Sequence, residues 1–163
     1  MLKLSGKFFW EHHSASGLLL AKGVIPNAVV TAALNDILEV YFRSGTQKAS
    51  WFVGLIDSAS FSALSAADTI SSHSGWTESV SYTEAARQAW NAAAAVSGRM
   101  AASTRAAFTM NSSITLKGLF VASNSTKGGT TGTLWATALF PADKTFATGE
   151  VLSTAYNLTA ANS

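Results

Sequence analysis

The chain has 163 residues, of which 48% are hydrophobic and 12% charged, with a net charge of +2 and no cysteine. That length predicts one domain with a substantial core, and the charged share is about half of the ~25% usual in globular proteins. Disulfides, thiolate catalysis and zinc–thiolate sites are excluded, and high hydrophobicity with low charge excludes a disordered chain.

The balance of residues also bears on partners. Lysines and arginines are scattered singly from Lys3 to Lys144, so no basic run offers a nucleic acid a specific footprint. No segment approaches the ~20 apolar residues of a membrane-spanning helix, and 1–13 alternates where a secretory signal has an apolar block. Ser, Thr, Asn and Ala stand where charge is missing, giving a weakly charged skin that neighbours cover easily.

In chain order, 2–12 alternates as a strand, 14–17 turns, and 18–25 returns as its hairpin partner. Pro26-Asn27 breaks the pattern. Leu34, Ile37, Leu38, Tyr41 and Phe42 then fall at helical spacing, predicting an amphipathic helix over 31–42, with Thr31 as its cap and Gly45 beyond its end. Its apolar face is expected to pack on a sheet; the alternative is a face that binds a partner. Residues 50–56 read as a buried strand, and 57–75 as a long loop with a helical turn at 66–71 capped by Ser65 and Asp68. Strands follow at 78–82, 87–94, 105–110, 114–122, 134–140 and 151–158, with turns at Ser97-Gly98, Asn111-Ser112, Lys127-Gly128 and Thr148-Gly149. Four alanines at 92–95 favour helix over 82–95, but the turn at Ser97-Gly98 and the β-rich surroundings favour strand. The expected fold is a mainly β, antiparallel sandwich or jelly-roll-like barrel of about nine strands with one helix.

Catalytic signatures are missing from the sequence. No G-x-S-x-G occurs, and the Gly-rich 126–133 lacks phosphate-loop spacing and reads as a mobile β-loop. His12 and His13, adjacent on a strand, face opposite sides. His73 reads as a loop histidine bonded to backbone, and nothing recommends a carboxylate pair. Arg87 is expected to hold the long loop through a carbonyl or Glu84, as a paired edge residue. Four tryptophans, Trp10, Trp51, Trp90 and Trp135, fall on strands and are expected in the core, whereas Trp76 either plugs the loop onto the sandwich or anchors an interface. No catalytic, cofactor or metal residues are assigned. The candidate contact residues are Phe8, Trp10, Phe61, Leu64, Trp76, Lys127, Gly128 and Gly129, in the 1–26 hairpin, the long loop and the Gly-rich loop.

Several segments together carry a resemblance: 27–31 (NAVVT), 34–38 (LNDIL) with Tyr41-Phe42, 51–57 (WFVGLID), 67–69 (ADT), 72–78 (SHSGWTE), 82–87, 114–120, 127–134 (KGGTTGTL) and 149–152 (GEVL). Over about 6–160 the chain resembles a family of small virion structural proteins of tailed bacteriophages, whose members are labelled head-decoration, tail-fibre or structural proteins. The Ala-rich 91–95 departs from the varied strand residues expected there. The resemblance implies a non-enzymatic capsid decoration or cement protein on the virion surface, made in the host cytoplasm, oligomeric with itself and bound to the major capsid protein. The alternatives are a collar, tail or fibre component with a receptor-binding role, and a small hydrolase or carbohydrate-binding domain.

Overall fold

The computed structural model describes residues 2–162, which form eleven strands and one helix in two antiparallel sheets. The two ends of the chain make the backbone of the first sheet. β1 (Leu2–His13) and β11 (Val151–Asn162) pair along their whole length, with Phe8 opposite Tyr156 and Trp10 opposite Thr154. β2 (Leu19–Pro26) closes the hairpin on one side of β1, while β7 (Arg99–Met100) and β8 (Ala106–Thr109) follow one another along the far edge of β11. In the second sheet β3 (Ala28–Val29), β10 (Leu134–Phe146), β9 (Ile114–Ala122) and β4 (Phe52–Asp57) lie in that order, and β5 (Glu78–Ser79) and β6 (Gln88–Ala89) line the outer side of β4. The fold is a β-sandwich; its sheets keep free edges and do not close into a barrel.

Alternation builds the core. Phe8, Trp10, Leu152 and Tyr156 point inward from the first sheet and face Val53, Leu55, Leu119 and Val121 of the second, while Phe120, opposite Gly54, lies on the other face of β9 against Trp76. The Phe8 and Tyr156 rings lie 4.7 Å apart. Each large apolar side chain buried here contributes about 1.5–3 kcal/mol. At Gly54 a Cβ would stand 2.2 Å from the Phe120 ring, so this glycine is what lets that phenyl lie flat on β4.

The helix α1 (Thr31–Phe42) has the expected bounds but a different orientation. Val30, not Thr31, is the N-cap, and no side chain caps it. The Val30 N–H donates to the Trp135 carbonyl at 3.1 Å and the Thr31 N–H to the Ala66 carbonyl at 2.8 Å, so neighbouring chain satisfies two N–H groups that have no partner within the helix. These bonds fix the rotation of α1. Ala33 is fully buried and Ile37 partly so, whereas Leu34, Leu38, Tyr41 and Phe42 are 43%, 55%, 78% and 73% exposed. The helix is therefore turned by roughly one residue, about 100°, from the orientation its apolar stripe predicts. Small Ala33 allows close approach to the sheet, and the bulky stripe is left outside.

Other expectations need correction. The strand at 78–82 shrinks to β5 and that at 87–94 to β6, because 80–87 bends to carry Arg87 and Tyr82 inward and 91–99 is exposed. No helical turn forms at 66–71: Asp68 accepts from the Ser65 N–H at 2.9 Å, half of the anticipated capping box, around a plain turn. Ser97 and Gly98 take φ of 49° and 73° between the bridged Val96 and Arg99, the twist that suits a two-residue hairpin turn.

Candidate functional site

Two loops that looked free in the sequence are bolted to the sandwich. Trp76 is buried, stacked under His73 with ring centroids 3.8 Å apart and tilted against Phe120 at 5.2 Å. Its Nε1 donates to Asp68 at 3.0 Å, and His73 Nδ1 donates to the Trp76 carbonyl at 2.8 Å. Trp76 is thus the plug of the long loop, and His73 has the backbone partner expected of it. Phe61 and Leu64 are partly buried against the core beside it.

Arg87 is fully buried, where the sequence suggested a paired edge residue. It makes a fork with Glu78 (2.9 and 2.6 Å) and donates to the carbonyls of Asn124 (3.0 Å) and Gly129 (2.7 Å). Of the two partners anticipated for it, a loop carbonyl or Glu84, Arg87 takes carbonyls, though those of Asn124 and Gly129 and not of the long loop, and Glu84 instead accepts from the Thr109 N–H. Glu78 also takes the Gly128 N–H at 2.9 Å. Lys127 Nζ lies 4.0 Å from the Tyr82 ring centre and donates to the carbonyls of Tyr82 and Glu84. The Gly-rich loop is therefore tied down at three consecutive residues, not a loose β-loop. Burial, followed by the nearby Glu78 carboxylate, pushes the Tyr82 hydroxyl well above its ordinary range.

Of the candidate contact residues, Phe8, Trp10 and Trp76 lie in the core, so no free surface of this fold presents those three, and Lys127 is half-buried with its ammonium on the carbonyls of Tyr82 and Glu84. Gly128 is exposed and Gly129 half-buried at the tip of the Gly-rich loop. The exposed apolar residues of the hairpin are others: Leu18, Leu19, Leu20 and Val24. The largest cluster is the outer stripe of α1, where the Tyr41 and Phe42 rings meet edge-on at 5.1 Å. The apolar period of the helix marks this stripe in the sequence; its exposure depends on the rotation.

A cleft of about 510 Å³ opens beside the segment 47–52 that leads from the helix into β4. Trp51, Trp90 and Trp135 line it, with Met100 and Leu158 behind them and Gln47, Ser50 and Asn91 also at its wall. His12 and His13 lie apart, paired with Glu150 (2.8 Å) and Glu11 (3.6 Å). Among the described residues no three His, Asp or Glu side chains gather as a metal site, and no helix is long and apolar enough to cross a membrane. No protein-family model matches the chain, and no curated protein matches it.

Proposed function

We propose that this chain is a non-enzymatic structural protein of a tailed-phage virion, a decoration or cement protein that works by being buried among copies of itself and capsid subunits. The observation that carries the reading is the outward apolar stripe of α1, Leu34, Leu38, Tyr41 and Phe42. Those four side chains leave on the order of 500 Å² of apolar surface on one helix face, as large as the biggest patch a monomer ordinarily shows. Buried from two sides it supplies about 1,000 Å², the lower bound of a specific interface. The hairpin leucines and the exposed, Ala-rich 91–98 add neutral surface that costs little to desolvate. Many modest contacts of this kind reinforce one another when sites are held on one particle.

The test is to tag the chain during infection, purify particles on a gradient, and read incorporation, copy number and label position. Label over the whole head at high copy number is expected. Label confined to a vertex or tail moves the protein to the collar, tail or fibre, and purified particles without the chain end the reading. Particle binding that survives removal of residues 126–132 takes the Gly-rich loop out of the contact.

A further inference from the structure

We infer that the cleft of Trp51, Trp90 and Trp135 is a binding site for a neutral oligosaccharide. Trp135 stands on β10, Trp51 immediately before β4 and Trp90 immediately after β6, and Trp90 and Trp135 are fixed from behind. Trp90 Nε1 donates to the Tyr156 carbonyl at 2.8 Å, and Trp135 Nε1 donates to the Tyr156 hydroxyl at 2.9 Å. With their N–H groups engaged inward, these indoles offer the cleft carbon surface. Trp51 packs edge-on against Trp135 at 5.5 Å, and the backbone N–H of Trp90 donates to the Trp51 carbonyl at 2.8 Å, so Trp51 and Trp90 stand side by side. Both remain partly exposed. Electron-rich aromatic faces attract the weakly positive C–H groups that cover one side of a pyranose ring.

The wall supplies the other half of sugar recognition. Gln47 and Ser50 are exposed and hold no side-chain bond to the protein among the described residues. The Asn91 amide donates to Thr104 at 3.0 Å, which orients it and leaves its carbonyl oxygen to accept from a hydroxyl. Lys48 is the one charged residue of the lining, and Asp36 neutralises it at 2.8 Å. An anion therefore finds no free cation, and a cation finds no free carboxylate within the cleft. The volume of about 510 Å³ lies in the range of small-ligand sites and suits a short chain of sugar rings.

The experiment uses the isolated full chain, so a failure of particle assembly leaves its result untouched. Cellotriose, maltotriose, chitotriose and mannotriose are titrated against tryptophan fluorescence and saturation-transfer NMR, with tetramethylammonium as the charged control. Saturable binding of at least one trisaccharide, with a Kd from about 0.1 to 10 mM, is expected. Trp51→Ala is expected to weaken it about tenfold, the share of one aromatic contact. Gln47→Ala, at an exposed position with no partner to lose, weakens it about threefold without changing Tm. No saturable binding by any trisaccharide overturns the inference. So does sugar binding that both variants leave unchanged, or tighter binding of tetramethylammonium than of every sugar.

Discussion

Trp76 and Asp68 hold the long loop between β4 and β5 shut: the indole Nε1 of one donates to the carboxylate of the other at 3.0 Å, both out of water. The same Asp68 oxygen accepts the Ser65 N–H at 2.9 Å, so one carboxylate fixes both the turn and the plug. Removing it leaves a buried indole N–H without an acceptor. Asp68→Ala is expected to cost about 1–3 kcal/mol in urea unfolding, whereas Asp68→Asn, which keeps an acceptor oxygen, costs less. Equal losses for the two variants would show that the charge, not the acceptor, matters.

Arg87 joins two loops by one guanidinium: Glu78 from one side, the carbonyls of Asn124 and Gly129 from the other. Breaking a buried pair by removing one partner leaves the other charge unpaired, so Arg87→Ala is expected to cost about 3–5 kcal/mol. Arg87→Lys rescues little, because an ammonium cannot serve a fork and two carbonyls at once. Limited proteolysis is expected to cut the variant first within 126–132. A variant cut elsewhere first, with this loop still protected, would separate the pair from the loop.

The long strands and the helix were legible because each carries its own period: 114–122 and 31–42 are found with the bounds that spacing predicts. The rotation of α1 was not, since it is set by backbone bonds from Val30 to Trp135 and Thr31 to Ala66, partners far along the chain. Arg87 escaped for the same reason. Its burial depends on carbonyls near 124–129, and a lone arginine in sequence carries no sign of them. The cleft is a meeting of tryptophans from 51, 90 and 135, each of which alone reads as core.

Gly54 tests how closely the core is fitted. A Cβ there would meet three atoms of the Phe120 ring within 2.8 Å. Phe120 also receives Arg87 over its face at 5.1 Å and Trp76 at its side, so it has little room to retreat. Gly54→Ala is expected to destabilise by about 1–3 kcal/mol, the usual cost of overpacking. A neutral or stabilising result in thermal and urea unfolding would mean that the ring shifts freely.

The α1 stripe makes the opposite prediction. Leu38 and Tyr41 are 55% and 78% exposed, so Leu38→Asp with Tyr41→Asp removes little intramolecular packing. Stability of the monomer should change by no more than about 0.5 kcal/mol per site. Self-association, read by light scattering across a concentration series, is expected to fall. A fold that collapses in this variant would mean that the stripe is held within the monomer.

Glu150 gives the pH dependence. Its carboxylate accepts the Ala147 N–H at 2.8 Å and the His12 Nε2–H at 2.8 Å. The backbone bond first, and His12 second, hold its carboxyl below the usual carboxylate range. A depressed folded value means that the unfolded chain takes up the proton more readily. The stabilisation is thus fully present above the unfolded value of about 4.3 and is lost as pH falls through the lower folded value. Comparing wild type with Glu150→Gln isolates this group from the other carboxylates. The wild type should have the higher Tm at pH 6–7, and the gap should close progressively below about pH 4. A Tm gap of the same size at pH 3 and pH 7 would assign the effect to shape at the 147–150 turn and not to the charge.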